Sequence, residues 1–139
     1  MQRCLRTMGM LILTLLVIGC GGGKYDDVKS TLNDYADAME DYIGRMEKAD
    51  SAEAVAKAMQ DFTEKMSALT PRLQEMNQKF PELATDKNAP KELEKVSQRM
   101  SDLSPKLQSA MMKAMPYMMD PQVQQAMTAQ AQAMAQTGN

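Results

Sequence analysis

The chain has 139 residues, room for one domain beside a leader, with 16 Lys and Arg against 18 Asp and Glu and neither histidine nor tryptophan. That slight acidity argues against nucleic acid and against charge-driven binding to anionic lipid, both of which reward dense positive charge. Ala, Met, Gln, Lys and Glu dominate and β-branched residues are few, which favours helix over strand.

Arg3 and Arg6 are the only charges before Lys24. Between them runs Met8 to Ile18, eleven mostly apolar residues, whereas a bilayer-spanning helix needs roughly twenty. A basic start and a short apolar run have the layout of a secretory leader. Val17-Ile18-Gly19-Cys20 then resembles the lipobox of bacterial lipoproteins. The resemblance implies cleavage between Gly19 and Cys20, so that residues 1–19 are removed. It also implies a diacylglyceryl group on the Cys20 sulfur and a further acyl chain, such as palmitate, on the new amino terminus. Two or more chains hold a protein stably on a membrane, at about 0.8 kcal/mol per buried methylene. The implied place is the cell envelope, facing the periplasm. Gly21 rather than aspartate after the cysteine points to the outer membrane. Cys4 leaves with the leader and Cys20 carries lipid, so the mature chain keeps no free thiol for a disulfide or metal site. Residues 20–24 are the lipidated cysteine and a flexible glycine link. What remains carries 14 basic and 18 acidic residues.

Residues 25–139 read as one all-α domain, an antiparallel bundle of three long heptad-patterned helices and a short fourth. Tyr25, Val28, Leu32, Tyr35, Met39, Tyr42, Met46 and Ala49 follow steps of three and four. Asp26 and Asp27 suit the positive end of this first helix. Asp50-Ser51-Ala52-Glu53 reads as a cap for the second. The connection at Ala49 to Ser51 is so short that it forces a hairpin. The second stripe is Ala52, Val55, Met59, Phe62, Met66, Leu69, Leu73, Met76, Phe80, and Pro81 ends it. Pro90 suits the first turn of the third helix, whose stripe is Leu93, Val96, Met100, Leu103, Leu107, Ala110, Ala114, Tyr117. Asp120-Pro121 starts the fourth, to about Gln136. Such stripes make long helices packed along one another, in the manner of a coiled coil. Helices of 25 to 30 residues would run about 40 Å.

Met66-Ser-Ala-Leu-Thr-Pro-Arg-Leu-Gln74 is echoed 34 residues later by Met100-Ser-Asp-Leu-Ser-Pro-Lys-Leu-Gln108. Each stripe passes through its proline, Pro71 or Pro105, undisturbed. The expectation is a helix bent on its wet side, where water satisfies the carbonyls of Ser67 and Ser101. The competing expectation is a fresh helix capped by Thr70 or Ser104. Leu69 to Gln74 is one residue longer than the Leu-Thr-x-x-Gln motif of Spy-type stress chaperones, so membership in that group does not follow.

The segment that invites function is Met111 to Met119. Met111 and Met118 flank the core stripe, while Met112, Met115 and Met119 form a second one. A helix apolar on two sides has two surfaces to bury, so these five residues are the candidate partner surface. The fourth helix, with Val123, Met127 and Met134, is the expected cover, although Gln130 interrupts its stripe. The chain carries no set of residues for nucleophilic, acid/base or redox catalysis, no phosphate-binding loop and no histidine or cysteine metal site, so neither an enzyme nor a resident cofactor is expected. Asp34, Asp37, Glu40 and Asp41 read as a solvated face. The functional expectation is a lipid-anchored envelope protein with a structural or interaction role through its helix faces, its partner another envelope protein or a second copy. The alternative is a chaperone-like protein, or a binder of Cu(I) or Ag(I) through the soft thioethers of segment 111–119.

Overall fold

The first helix, α1 (Asp26–Lys48), begins where Gly23 and Asp26 close on each other: the Gly23 amide donates to Asp26 Oδ2 at 2.9 Å, and the Asp26 amide donates to the Gly23 carbonyl at 3.0 Å. This computed structural model of the chain describes residues 23–85 and 90–137. The expected leader, the Gly19–Cys20 cleavage and the lipid on Cys20 lie outside the described residues. After α1 the chain turns at Ala49 and Asp50 into α2 (Ala52–Lys79). Ser51, in extended backbone, accepts the Ala54 amide on its hydroxyl at 3.2 Å, satisfying one of the orphan amides of the first turn. Ion pairs fix the register of the hairpin. Lys65 reaches Asp41, Arg45 reaches Asp61, and Arg72 reaches Asp34. Partners advance along α1 as they recede along α2, as antiparallel packing requires.

Both prolines sit inside continuous helix. α2 passes through Pro71, and α4 (Glu94–Ala114) passes through Pro105. Both are exposed, as are Ser67 and Ser101, so water reaches the carbonyls they leave without an amide donor. Thr70 and Ser104 do not cap new helices. Their hydroxyls donate backwards to the carbonyls of Met66 and Met100, at 2.9 and 3.4 Å. The link from α2 to α4 holds a four-residue helix, α3 (Glu82–Thr85), and Pro90 then precedes a 3-10 turn at Lys91–Leu93 rather than the α-helix itself. At 21 residues α4 is shorter than its stripe suggested. Pro116 has no amide to give Met112, so the backbone tightens into a 3-10 turn at Met115–Tyr117. The last helix, α5 (Pro121–Thr137), follows Asp120, whose Oδ1 accepts the Gln122 amide at 2.9 Å.

α4 runs parallel to α1. Arg99 binds Asp37 and Glu40, and Lys113 reaches the Glu47 carbonyl at 3.0 Å, so both numbers rise together. The hairpin of α4 and α5 lies against that of α1 and α2, with α4 on α1 and α5 on α2. α4 and α5 themselves hardly touch along their lengths. Every residue of the three long expected stripes is buried or half-buried. α1 buries more than its stripe: Ala36, Ala38 and Ile43 also lose their exposure, because neighbours flank it on two sides. Val28, Val55 and Val123 are fully enclosed. A separate small cluster of Val28, Leu93 and Val96 closes the base, with the Tyr25 and Phe80 rings 5.3 Å apart beside it. Burying such a side chain is worth about 1.5–3 kcal/mol.

Candidate functional site: an uncharged methionine groove

The space between α4 and α5 is an open apolar groove of about 430 Å³. Its floor is the hairpin below. Tyr35, Met39, Tyr42 and Met46 come from α1, and Met59 and Phe62 from α2. The Tyr42 and Phe62 rings lie 4.7 Å apart and give the floor a rigid plate. Burial pushes the Tyr42 hydroxyl up from its ordinary pKa. Leu107 and Met111 form one wall, and Met127 and Met134 the other. Seven methionines line the groove in all: Met39, Met46, Met59, Met111, Met118, Met127 and Met134. Their unbranched, polarisable side chains adapt to whatever fills the space. Gln130, whose polarity interrupts the apolar stripe of α5, is half-buried on the lining and is its one amide side chain.

The five methionines of segment 111–119 part company. Met111 and Met118 enter the groove lining. Met112, Met115 and Met119 stand outside it, 64%, 65% and 82% exposed, so α5 does not cover them. Of the other groove methionines, Met39, Met46 and Met59 come from stripes read as core, and Met127 and Met134 from the fourth helix expected as cover. Nothing in their spacing separates a residue that meets a neighbour from one that meets a gap. All six exposed large hydrophobic residues among those described are methionines between Met111 and Met134.

Charge is absent where these methionines gather. From Leu107 to Thr137 only Lys113 and Asp120 are charged. Lys113 is turned to the Glu47 carbonyl and Asp120 caps α5. On α4 and the turn after it, the residues Ser97, Ser101, Ser104, Gln108, Met111 and Met115 recur at steps of three and four, and all are exposed. They form an uncharged flank beside the groove. Across it, α5 rests on an equally uncharged side of α2, where Thr63, Ser67 and Thr70 meet Gln130 and Ala133.

The opposite side of the molecule carries the ions: the acidic face of α1 is solvent-exposed, as its position off the stripe implies, and its carboxylates also take part in ion pairs between helices. Asp34 pairs with Arg72, Asp41 with Lys65 and Arg45, and Asp37 and Glu40 with Arg99. The hydrogen bond from Arg99 holds the Glu40 carboxyl below its usual pKa, and Lys65 and then Arg45 do the same for Asp41. Glu40 and Asp37 in turn raise the Arg99 guanidinium. These carboxylates clasp helices together. A second cavity, about 270 Å³, opens between α1 and α2 near the base beside Arg72 and Lys79. Its cations are engaged already, Arg72 with Asp34 and Ser30 and Lys79 with Glu75.

Among the described residues no helix is long and apolar enough to cross a membrane. Compared with protein families, with curated proteins and with solved structures, the chain matches none. The fold and groove define a class, a four-helix bundle with an open apolar cleft, and function has to be argued from that cleft.

Proposed function

We propose that this chain is a lipid-anchored protein of a bacterial envelope, without a catalytic role and built to bind another protein surface through the uncharged face formed by α4 and α5. The observation that carries the reading is that, among the described residues, all exposed large hydrophobic side chains fall within Met111–Met134. Contiguous exposed apolar surface on a folded domain marks an interaction site. Lipid on Cys20 is the anchor, and in sequence only Gly21 and Gly22 lie between it and Gly23, whose amide bonds Asp26 at the start of α1. At 1.5 Å per residue the 23 residues of α1 span about 35 Å. The Met112–Met119 end therefore stands at the far side of the bundle from the lipid, facing the periplasm in an envelope whose outer membrane holds the anchor.

Two experiments test the two halves of this reading. Radioactive palmitate should label the native chain and should fail to label Cys20→Ala, which should leave the membrane fraction; equal labelling removes the anchor. A photo-reactive residue at Met119 should give a discrete cross-linked product in intact cells, and one at Lys57 should give none. The reverse pattern removes the face.

A second reading rests on the seven thioethers of the groove. Thioethers are soft ligands that select Cu(I) over harder ions, and a groove lined by them is a place for Cu(I) or Ag(I). Titration of Cu(I) against a competing chelator should then show binding that falls when Met111 and Met127 become Leu. Unchanged binding would remove this reading.

A further inference from the structure

We infer that Met127 and Met134 of α5 are a modification site, where a small two-electron oxidant converts the thioethers to sulfoxides and so releases the second half of α5 from α2. Little holds that half in place. α5 carries no charged side chain, so ion pairs like those that clasp α1 to α2 and α4 are not open to it. Val123 and Ala126 anchor its first half, and both are buried. Beyond them the side turned to α2 continues with Gln130 and Ala133, which are only half-buried. Met127 and Met134 are the only large apolar side chains of α5 after Val123. Met127 lines the methionine groove. Met134 lines both that groove and a smaller cavity of about 60 Å³ between α5 and α2. Once both leave their apolar contacts, α5 beyond Ala126 has only small and polar side chains to offer.

Exposure selects the same two residues. Val123 is fully enclosed, whereas Met127 and Met134 are 39% and 57% exposed. Susceptibility of a thioether to oxidation follows its access. Leucine has at least equal helix propensity and does not react, so sulfur is what sets these positions apart. The floor of the groove is shielded, with Met39, Met46 and Met59 buried, and the framework therefore outlasts the reaction. Met112, Met115 and Met119 are also open to oxidant, but they stand outside the groove lining.

With hydrogen peroxide, a sulfur lone pair attacks one peroxide oxygen. The S–O bond forms as the O–O bond breaks, and the sulfur loses two electrons to the peroxide. The proton of the transferred hydroxyl passes to the departing hydroxide, which leaves as water. The new oxygen is a strong acceptor, and burying an acceptor without a donor is costly. The three hydroxyls that α2 presents at the Met134 cavity are already committed. Thr63, Ser67 and Thr70 donate to the carbonyls of Met59, Thr63 and Met66 at 2.8, 2.9 and 2.9 Å, and a hydroxyl has one proton to give. The Gln130 amide belongs to α5 itself, so a bond from it does not tie α5 to α2. At Met127 the oxygen enters a groove lined chiefly by methionine and aromatic side chains. Water satisfies both oxygens once this half of α5 lifts away.

Hydrogen–deuterium exchange of the processed, detergent-extracted chain, read by mass spectrometry before and after hydrogen peroxide, tests the release. The expected result is sulfoxide at Met127 and Met134, with the amides from Thr128 to Thr137 exchanging at least about tenfold faster after peroxide and those of α1 and α2 unchanged. Met127→Leu combined with Met134→Leu keeps every other methionine, and its α5 amides should stay slow with or without peroxide. Met127→Gln combined with Met134→Gln places a polar oxygen there without oxidant, and should exchange fast from the start. Fast exchange of untreated wild type overturns the inference, because there is then nothing to release. Slow exchange in the fully oxidised chain overturns it too, as does equal acceleration in the leucine variant, which assigns the effect to Met111–Met119. Sulfoxide confined to Met111–Met119, with Met127 and Met134 spared, removes the site itself. Treated and untreated wild type decide the matter even where a variant fails to fold.

Discussion

Along α1, four carboxylates from Asp34 to Asp41 each meet an arginine or lysine of the bundle, whereas the 31 residues from Leu107 to Thr137 hold two charges, both used within the fold. The first region is a clasped framework. It buries the small residues Ala36, Ala38, Ala56 and Ala58, and its ion pairs fix register. The second region has two helices that scarcely meet, with methionines around the gap. The difference separates two jobs that one heptad pattern cannot distinguish. Small and branched residues specify a single packing, while methionine fills irregular space and tolerates exchange of partner.

The comparison breaks most readily in the framework. Leu103 is 2% exposed and belongs to the larger core cluster. Leu103→Ala should cost about 2–5 kcal/mol in urea unfolding, the range for a buried leucine whose cavity cannot collapse. A loss below 1 kcal/mol would mean that the framework is as loose as the groove. Arg99→Gln removes the clasp of α4 on α1. A partly exposed ion pair is worth about 0.2–1 kcal/mol, and the loss should shrink in concentrated salt. If salt makes no difference, the clasp holds by packing instead.

Gly44 sharpens the contrast in the other direction. It lies inside α1, and a methyl group added there meets nothing within 4 Å. Gly44→Ala should therefore raise stability by about 0.5–1 kcal/mol through helix propensity. A decrease would show that α1 is closer to a neighbour than the geometry indicates. The acid limb follows from the clasps. Arg99 depresses Glu40 and Lys65 depresses Asp41, so their stabilisation is present above the ordinary pKa values of 4.5 and 3.8. It is lost as pH falls through the lower folded values. With no histidine in the chain, the melting temperature should be flat from pH 8 to 6 and drop only in the acid range. A transition near pH 6.5 would contradict this assignment. Smallest of all, Met119→Ser should change stability by less than about 0.5 kcal/mol, as expected for an exposed position.

Much of the framework was legible because its signals are local. Ser51 caps α2 where a short connection demanded a turn, and the stripes through Pro71 and Pro105 stayed helical because both prolines face water. The ion pairs were not legible. Arg99 lies 59 residues from Glu40, and only the parallel placement of α4 on α1 brings them together. The groove was hidden for a related reason. Met39 and Met46, which line the groove, keep the same spacing as Val28, which does not, and periodicity says that a residue faces inward without saying whether a neighbour fills the space beyond it. The uncharged run after Leu107 was visible throughout, as a pattern of absences whose meaning depends on which helix faces which.

A peroxide footprint of the methionines, read residue by residue by mass spectrometry, bears most directly on the claim that this uncharged face is where the protein works. It compares the native chain in its membrane with the detergent-extracted Met127→Glu variant. The account predicts slow oxidation of buried Met39, Met46 and Met59 in both samples, with Met111, Met112 and Met115 slow in the membrane and fast in the variant. Equally fast oxidation of Met111, Met112 and Met115 in both would show a face that nothing covers, and would contradict the account.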